Sequence, residues 1–533
     1  MNNIFNLKSD YANDLNKNNL SNIINIFKKN KISLSNKSYV ITESESYKWR
    51  IIDNENKLDF ILNLDNDIIS ISRNIHIVTE IVDKDLCVRC GACDPACPAN
   101  IIKFDDQAFP YITKEEDCIS NCVRCIKVCP GKVVDFNTWD DEMFGMRPHP
   151  ESITGIVRKS MVGYSVNEDI REKGASGGIV TQLLTYMLDK KIIDGALVLS
   201  SGVDENGYHL KPMIARTKED LRKAARSKYL LIPHLEQIRE IENVEGNYAI
   251  VALPCHIHAI KKYQKVSKKL RERLKFIIGL YCNVAYEPYL LDDLIELSGY
   301  KKSDIINAEF RAGEWPGYIE LTLRSGEVVR PFKFEEIKDA INSLKLFYTA
   351  GRCNLCIDFS AEYADISVGD PWLRGKDGNY LYKEGWTTIL TRTEIGDEMI
   401  DNAVNDGYIK VVDLPLKTYM MNFEKNAIYK RNFVPKNINL RNAFNIPSPE
   451  YSRPFKKFKK SSYLVASVKI ILLYFSRKSK KLRFLGVKFF QTGFAMKVFA
   501  WNRDRKKQDF SSDYSRMEKF VNHVGEKFID KLK

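Results

Sequence analysis

Eight of the twelve cysteines lie between Cys87 and Cys129. In "CVRCGACDPACP", Cys87, Cys90, Cys93 and Cys97 are separated by two, two and three residues, and Pro98 follows. A loop of that spacing wraps a four-iron, four-sulfur cube. A second run, "CISNCVRCIKVCP", sets Cys118, Cys122, Cys125 and Cys129 three, two and three residues apart before Pro130, one residue wider in its first gap. In two-cluster ferredoxins the fourth cysteine of each run serves the other cluster. One cube is therefore expected on Cys87, Cys90, Cys93 and Cys129, and the other on Cys118, Cys122, Cys125 and Cys97. Paired zinc sites use CxxC knuckles and have no need of the proline-closed run twice. A cube passes one electron at a time and catalyses nothing itself, so the rest of the chain must supply a donor, an acceptor or both.

The elements that position these thiols belong to a chain of 533 residues, long enough for about three or four domains. Residues 1–78 suggest no chemistry: Asn and Lys dominate to residue 37, and "YKWRII" and "KLDFILNL" then flank "DNEN" as a hairpin. "DIISISRNIHIVTEIV" continues in strand-like character. A ferredoxin-like module is expected over 79–137, a larger α/β unit over 138–440 and a basic extension over 441–533. The fold class is thus multidomain α/β and α+β, with a largely parallel sheet predicted between Ser160 and Leu440 from alternating helical and apolar strand patterns. The start, "MNNIFNLKSDYANDL", lacks a basic residue followed by an apolar run. Twelve cysteines without an export signal argue for metal ligation in a reducing cytoplasm rather than disulfides.

Within the larger unit, "GASGGIVTQLLTYMLDKK" predicts a helix with Ser176 as N-cap and Gly177 and Gly178 leaving first-turn amides bare. Such an end suits a phosphate, though small residues there equally serve capping or close packing. "YAIVALPC" and "KFIIGLYC" are buried-strand patterns ending at Cys255 and Cys282, at the edge where open α/β sheets bind ligands. "GRCNLC" adds Cys353 and Cys356. Four such thiolates suffice for a third cube or for a zinc ion. His256 and His258 read as two satisfied polar side chains. There is no GxGxxG after a strand, no HExxH and no GxSxG, and "GDPWLRGKD" has its glycines misplaced and Asp377 where a phosphate loop needs Ser or Thr.

These residues resemble the beta subunits of coenzyme F420 hydrogenases and dehydrogenases. The matching stretches are "GASGGIVTQLLTYMLDKKIIDGALV", "SKYL" at 227–230, "ALPCHIHAI", "GLYC", "EWPGY" at 314–318 and "CNLCIDFSAEYADISVGDPW", within Lys84 to Tyr408. His256 stands where many relatives carry glutamine. The resemblance implies a flavoprotein, with FAD, whose own cube sits beside the flavin on Cys255, Cys282, Cys353 and Cys356. It also implies a flavin pocket that includes Ser176, Gly177, Gly178, Thr181, Lys228 and Tyr229, with Asp365 and Asp370 in support. Hydride carriers exchange electrons in pairs and cubes singly, and a flavin does both. The implied function is an oxidoreductase that moves electrons between a carrier such as coenzyme F420, or a small substrate, and the cubes, on to a redox partner protein. The alternative is a non-catalytic electron-transfer subunit of a larger complex. No catalytic triad is expected.

Charge is uneven. Residues 451–507 hold 17 Lys and Arg against one acid, Asp504, a charge of +16, so the remaining body carries about −3 of the chain's +13. The apolar run from Tyr463 to Phe475 contains Lys469 and is too short to span a bilayer. The segment suits an anionic membrane surface, which would place a cytoplasmic protein at the inner membrane face, or an acidic partner. No fold motif supports nucleic acid.

Overall fold

The computed structural model describes residues 5–8, 39–73, 76–453 and 471–497, except 46–47, 54–57, 66–67, 115–116, 120–121, 150–151, 332–336, 374, 376–378, 472, 493–494 and 496. The Asn- and Lys-rich start lies largely outside the described residues, as does the apolar run before 471. The predicted hairpin forms: Lys48–Asp53 pairs antiparallel with Leu58–Asp65. Both belong to a five-stranded sheet completed by Phe5–Lys8, Tyr39–Glu45 and Ile68–Arg73. The strand-like reading fails after residue 76, where Val78–Val82 form a turn of helix. Ile77 and Ile81 there pack with Leu86, Ile102, Cys93, Cys125 and Cys129 in the small core of the cysteine-rich module.

The large sheet has eight strands: β1 Ser160–Ser165, β2 Gly195–Asp204, β3 Gly207–Ala215, β4 Tyr248–Ala252, β5 Leu274–Leu280, β6 Ile366–Gly369, β7 Thr387–Thr391 and β8 Ile409–Asp413. Their spatial order is β3-β2-β4-β5-β6-β7-β1-β8. Only the centre, β2-β4-β5-β6, is parallel. Both flanks are antiparallel, which corrects the expectation of a largely parallel sheet. The fold class, a ferredoxin-like module joined to an α/β unit, stands.

Side chains alternate between the sheet's faces, as the two-residue strand period requires. Ile250 and Ile277 enter one core, shared with Ile257 and Ile260 of helix α2 (Pro254–Val266). Ala249, Phe276 and Ile278 enter the other, beneath Leu183, Leu184 and Met187 of helix α1 (Ile179–Asp189). The cysteine-rich module docks on the α2 face, because Val88, Ala92, Val128, Phe136 and Trp139 belong to that same core. Helix α3 (Tyr289–Leu297) and the strands Ile305–Ala312 and Tyr318–Leu323 form a third core with part of helix α5 (Lys480–Phe490). The long helix α4 (Leu416–Ala443) reaches the turn Gly351–Leu355 through Asn437, which donates to the Asn354 carbonyl.

Candidate redox site

Cys87, Cys90, Cys93 and Cys129 line one cavity, with Ile77, Phe104 and Pro110 as apolar wall. Backbone amides already face sulfur: Arg89 N–H donates to Cys87 Sγ and Gly131 N–H to Cys129 Sγ, each at 3.3 Å. Burial, aided by neighbouring Cys129, pushes the Cys87 thiol up to about 12, and Cys90 and Cys93 are also raised. Buried thiols of this kind are inert and protonated until metal displaces the protons. Cys125 is raised to about 12, chiefly by burial and also by Cys118, Cys122 and Cys129. Cys97 packs against the apolar cluster around Cys125 and Cys129.

The four late cysteines also meet. Strands β4 and β5 run parallel, so Cys255, in the first turn of α2, and Cys282, two residues past β5, leave the sheet at one edge. Cys282 is fixed there by its N–H, which donates to the Phe359 carbonyl (2.9 Å). Ala285 N–H donates to Cys353 Sγ (3.4 Å). Burial raises Cys255, and Cys356, Cys282 and Cys353 raise it further, as does Cys90 of the ferredoxin module. Cys282 is pushed by burial up to about 12. Among the described residues no three His, Cys, Asp or Glu converge on a point that one metal ion would fill. Four thiols so grouped supply the ligand number of a cube or of a zinc ion.

Two buried cations attend these sulfurs, and neither was apparent from the sequence. Lys430 of α4 donates to the Asp358 carbonyl (2.9 Å). Burial opposes its charge, but Cys356, Cys282 and Cys353 outweigh burial and raise its pKa. Arg352 donates to the Leu355 carbonyl (2.9 Å) and the Tyr451 hydroxyl (3.3 Å), and reaches the Pro130 and Gly131 carbonyls at 3.5 and 3.4 Å. Its charge favours the thiolates of Cys87 and Cys129, while Cys356 and Cys255 in turn support the guanidinium against burial. Arg352 therefore stands between the ferredoxin thiols and the late ones. Only distance in sequence hid them, since any lysine or arginine could have folded there.

Residues 233–235 form a second bridge. Leu235 N–H donates to the Cys90 carbonyl (2.7 Å). Gly91, at φ +88, lies where a Cβ would be 2.5 Å from the Pro233 carbonyl oxygen, so only glycine permits this approach. His234 stacks on His256, with centroids 5.3 Å apart. His258 is satisfied by Asp358 (3.1 Å), and despite burial that contact holds the Asp358 carboxyl down to about 2. His256 departs from expectation: neither ring nitrogen has a partner among the described residues.

The other predicted residues divide by sheet edge. Ser176 does not cap helix α1; Gly178, at φ +72, holds the N-cap position. The Ser176 hydroxyl instead bonds Thr387 (2.8 Å), and Gly177 N–H donates to the Thr387 hydroxyl (2.9 Å), so that amide is covered rather than bare. Thr181, half-buried in the first turn of α1, accepts from the Thr185 hydroxyl at its carbonyl (2.8 Å). Asp370 follows β6 on the edge that bears Cys282. Asp365 precedes β6, about 16 Å along the strand from Asp370, and accepts from Ile277 N–H in the middle of β5 (2.8 Å) and from the Thr393 hydroxyl (2.9 Å). Its carboxylate braces β5 instead of lying beside Asp370.

Arg311, unforeseen, gathers the correct edge. It donates to both carboxylate oxygens of Asp370 (2.9 and 3.2 Å), to the Ala175 carbonyl (2.9 Å), to the Tyr229 hydroxyl (3.4 Å) and to the Pro316 carbonyl. Trp315 Nε1 donates to Asp370 (2.9 Å) and packs with Trp372 (4.8 Å) and Tyr380 (5.2 Å). Tyr286 N–H donates to the Tyr229 carbonyl (2.8 Å), which sets Tyr229 one residue along from the Ala285–Cys353 contact. Lys228 turns away, donating to the carbonyls of Ala224 (3.0 Å), Ala225 (2.7 Å) and Arg226 (3.4 Å). Burial lowers its pKa to about 8.

Comparison with known proteins follows this geometry. Residues 79–130 match the family described as 4Fe-4S dicluster domain. Residues 160–239 match the N-terminal region of the coenzyme F420 hydrogenase/dehydrogenase beta subunit, and 245–417 match its C-terminal region. The coenzyme F420 hydrogenase subunit beta of Methanothermobacter thermautotrophicus is 28% identical over 312 residues, 56% of this chain and 99% of that protein. The coenzyme F420-dependent sulfite reductase of Methanocaldococcus jannaschii is 28% identical over 349 residues, 61% of this chain but 47% of that protein. A solved chain of the F420-reducing nickel–iron hydrogenase complex of Methanosarcina barkeri aligns at 23% identity and a TM-score of 0.44, over 58% of this chain and 99% of that one.

Proposed function

The chain belongs to the coenzyme F420 hydrogenase/dehydrogenase beta-subunit family and carries a 4Fe-4S dicluster domain, and from that premise we propose that it is an iron–sulfur redox subunit exchanging electrons with a hydride carrier of the coenzyme F420 type. Cys87, Cys90, Cys93 and Cys129 would hold one cube, and Cys118, Cys122, Cys125 and Cys97 a second. Cys255, Cys282, Cys353 and Cys356 would hold an inner third. The observation that carries the reading is the meeting of those four late thiols behind the ferredoxin module, with Arg352 between the two sets.

The aromatic and charged wall of Tyr229, Arg311, Trp315 and Asp370, beside Cys353, is the side of the inner thiols that a flavin, expected as FAD, would occupy. A bound flavin would supply two-electron exchange with the carrier and one-electron exchange with a cube. The chain's own part is placement and electrostatics. Asp370 holds Arg311 and Trp315 in fixed orientation, Tyr286 ties Tyr229 of that wall to the segment whose Ala285 N–H faces Cys353, and Lys430 and Arg352 would offset the negative charge a reduced cube gains. Such chemistry would join a partner redox protein, as the relatives' subunit names suggest.

Anaerobic iron loading tests the reading. About twelve irons per chain are expected from four per cube, and Cys353→Ala with Cys356→Ala should remove about four while leaving the ferredoxin pair. Iron content untouched by that double substitution would refute the inner cube. A flavin-free electron-transfer subunit is the second reading, favoured by Thr387 closing the Gly177 amide and by Arg311 being engaged by chain partners. Extractable flavin, bleached by a reduced carrier, decides between the two.

A further inference from the structure

Residues 471–492 contain Arg477, Lys478, Lys480, Lys481, Arg483 and Lys488 and no acid. In a surface helix of a globular protein the apolar side normally turns inward. Here apolar side chains also turn outward. Within helical residues 473–478, Leu473 and Ser476 are buried, while Tyr474 and Phe475 are exposed. Along α5, Arg483 and Val487 face inward, while Leu485 and Phe489 are 67% and 53% exposed. Ile471 is likewise exposed, at 54%. The exposed lysines Lys478, Lys481 and Lys488 are interleaved with these side chains.

The orientation is fixed by the inner side. Arg483 donates to both carboxylate oxygens of Asp293 in α3 (2.6 and 3.3 Å), with both side chains buried. Gly486 lies against the Phe347 ring, where a side chain would collide. Val487 enters the third core. The helix cannot roll to hide Leu485 and Phe489 without breaking the Arg483–Asp293 pair.

We propose that this face docks on an anionic lipid surface, with the aromatic and aliphatic side chains entering the headgroup boundary and the lysines meeting lipid phosphates. An acidic protein would satisfy the lysines but would need its own groove for five large apolar groups placed among them, whereas a bilayer interface offers both at once. No helix among the described residues is long and apolar enough to cross a membrane, so the contact is peripheral.

The test sediments the full, iron-loaded chain with phosphatidylcholine vesicles, with and without phosphatidylglycerol. Pelleting is expected only with phosphatidylglycerol and should decline as salt rises. Leu485→Glu with Phe489→Glu should lower partitioning about tenfold or more, and Lys481→Glu with Lys488→Glu likewise. Unchanged visible absorption and unfolding midpoint show that these outward substitutions leave the fold intact. A wild-type chain that stays in the supernatant at low salt overturns the proposal. So does undiminished pelleting of the Leu485/Phe489 variant. Capture on polyglutamate of a wild-type chain that does not pellet with phosphatidylglycerol vesicles transfers the surface to an acidic protein partner and also overturns it.

Discussion

At the residue scale, the chemistry rests on charges that water cannot screen. Lys430 is buried among three thiols and would offset the negative charge of a cube that they hold. Lys430→Met should make the inner cube harder to reduce, lowering its potential by on the order of tens of millivolts. A redox titration followed by EPR reads this, and an unchanged potential would remove Lys430 from the site. Lys228 has the opposite character, since burial depresses it to about 8 against the ordinary 10.5. Between those values the unfolded chain binds the extra proton, so stability rises as pH climbs from about 8 towards 10.5. Lys228→Met should flatten that rise, as urea midpoints taken across the window would report. The cysteine runs were legible because their ligand pattern is local in sequence. Arg311, Lys430 and Arg352 were not, because nothing near them in sequence records what they meet.

At the element scale, three parallel strands deliver Cys255, Cys282 and Asp370 to one sheet edge, and the start of α1 joins that edge through Thr387. Gly177 permits the join: a Cβ there would stand 2.6 Å from the Gly163 carbonyl oxygen. Gly177→Ala should therefore cost about 2 kcal/mol or more, since backbone on the facing strand cannot yield cheaply. Chemical denaturation measures it, and a neutral result would show that α1 can shift. The sequence suggested a Ser176 cap and bare amides because capping rules are local. Thr387, more than 200 residues later, captures both groups instead. Asp365 and Asp370 looked like companions for a similar reason. Proximity in sequence misleads across a strand, because the residues flanking even a four-residue strand stand about 16 Å apart.

At the scale of the whole molecule, the ferredoxin module and the α/β unit share one core and one buried guanidinium. Arg352→Met should lower the potentials of the inner cube and of the cube on Cys87 and Cys129 together, whereas Lys430→Met moves the inner one. Iron content should hold in both. Paired EPR titrations make the comparison, and a shift confined to one cube would deny Arg352 its shared position. By itself the sequence determined which residues could bind iron, where α1, the hairpin and the strands before Cys255 and Cys282 run, and that the charge gathers near the C-terminus, because ligand spacing, hydropathy period and charge are properties of neighbouring residues. Only the tertiary structure decided which strands lie antiparallel, which aspartate reaches the working edge, which cations sit among the sulfurs, and that apolar side chains of α5 face outward. Those outcomes depend on pairings between residues far apart in the chain, and they are set by burial and by the partners burial supplies.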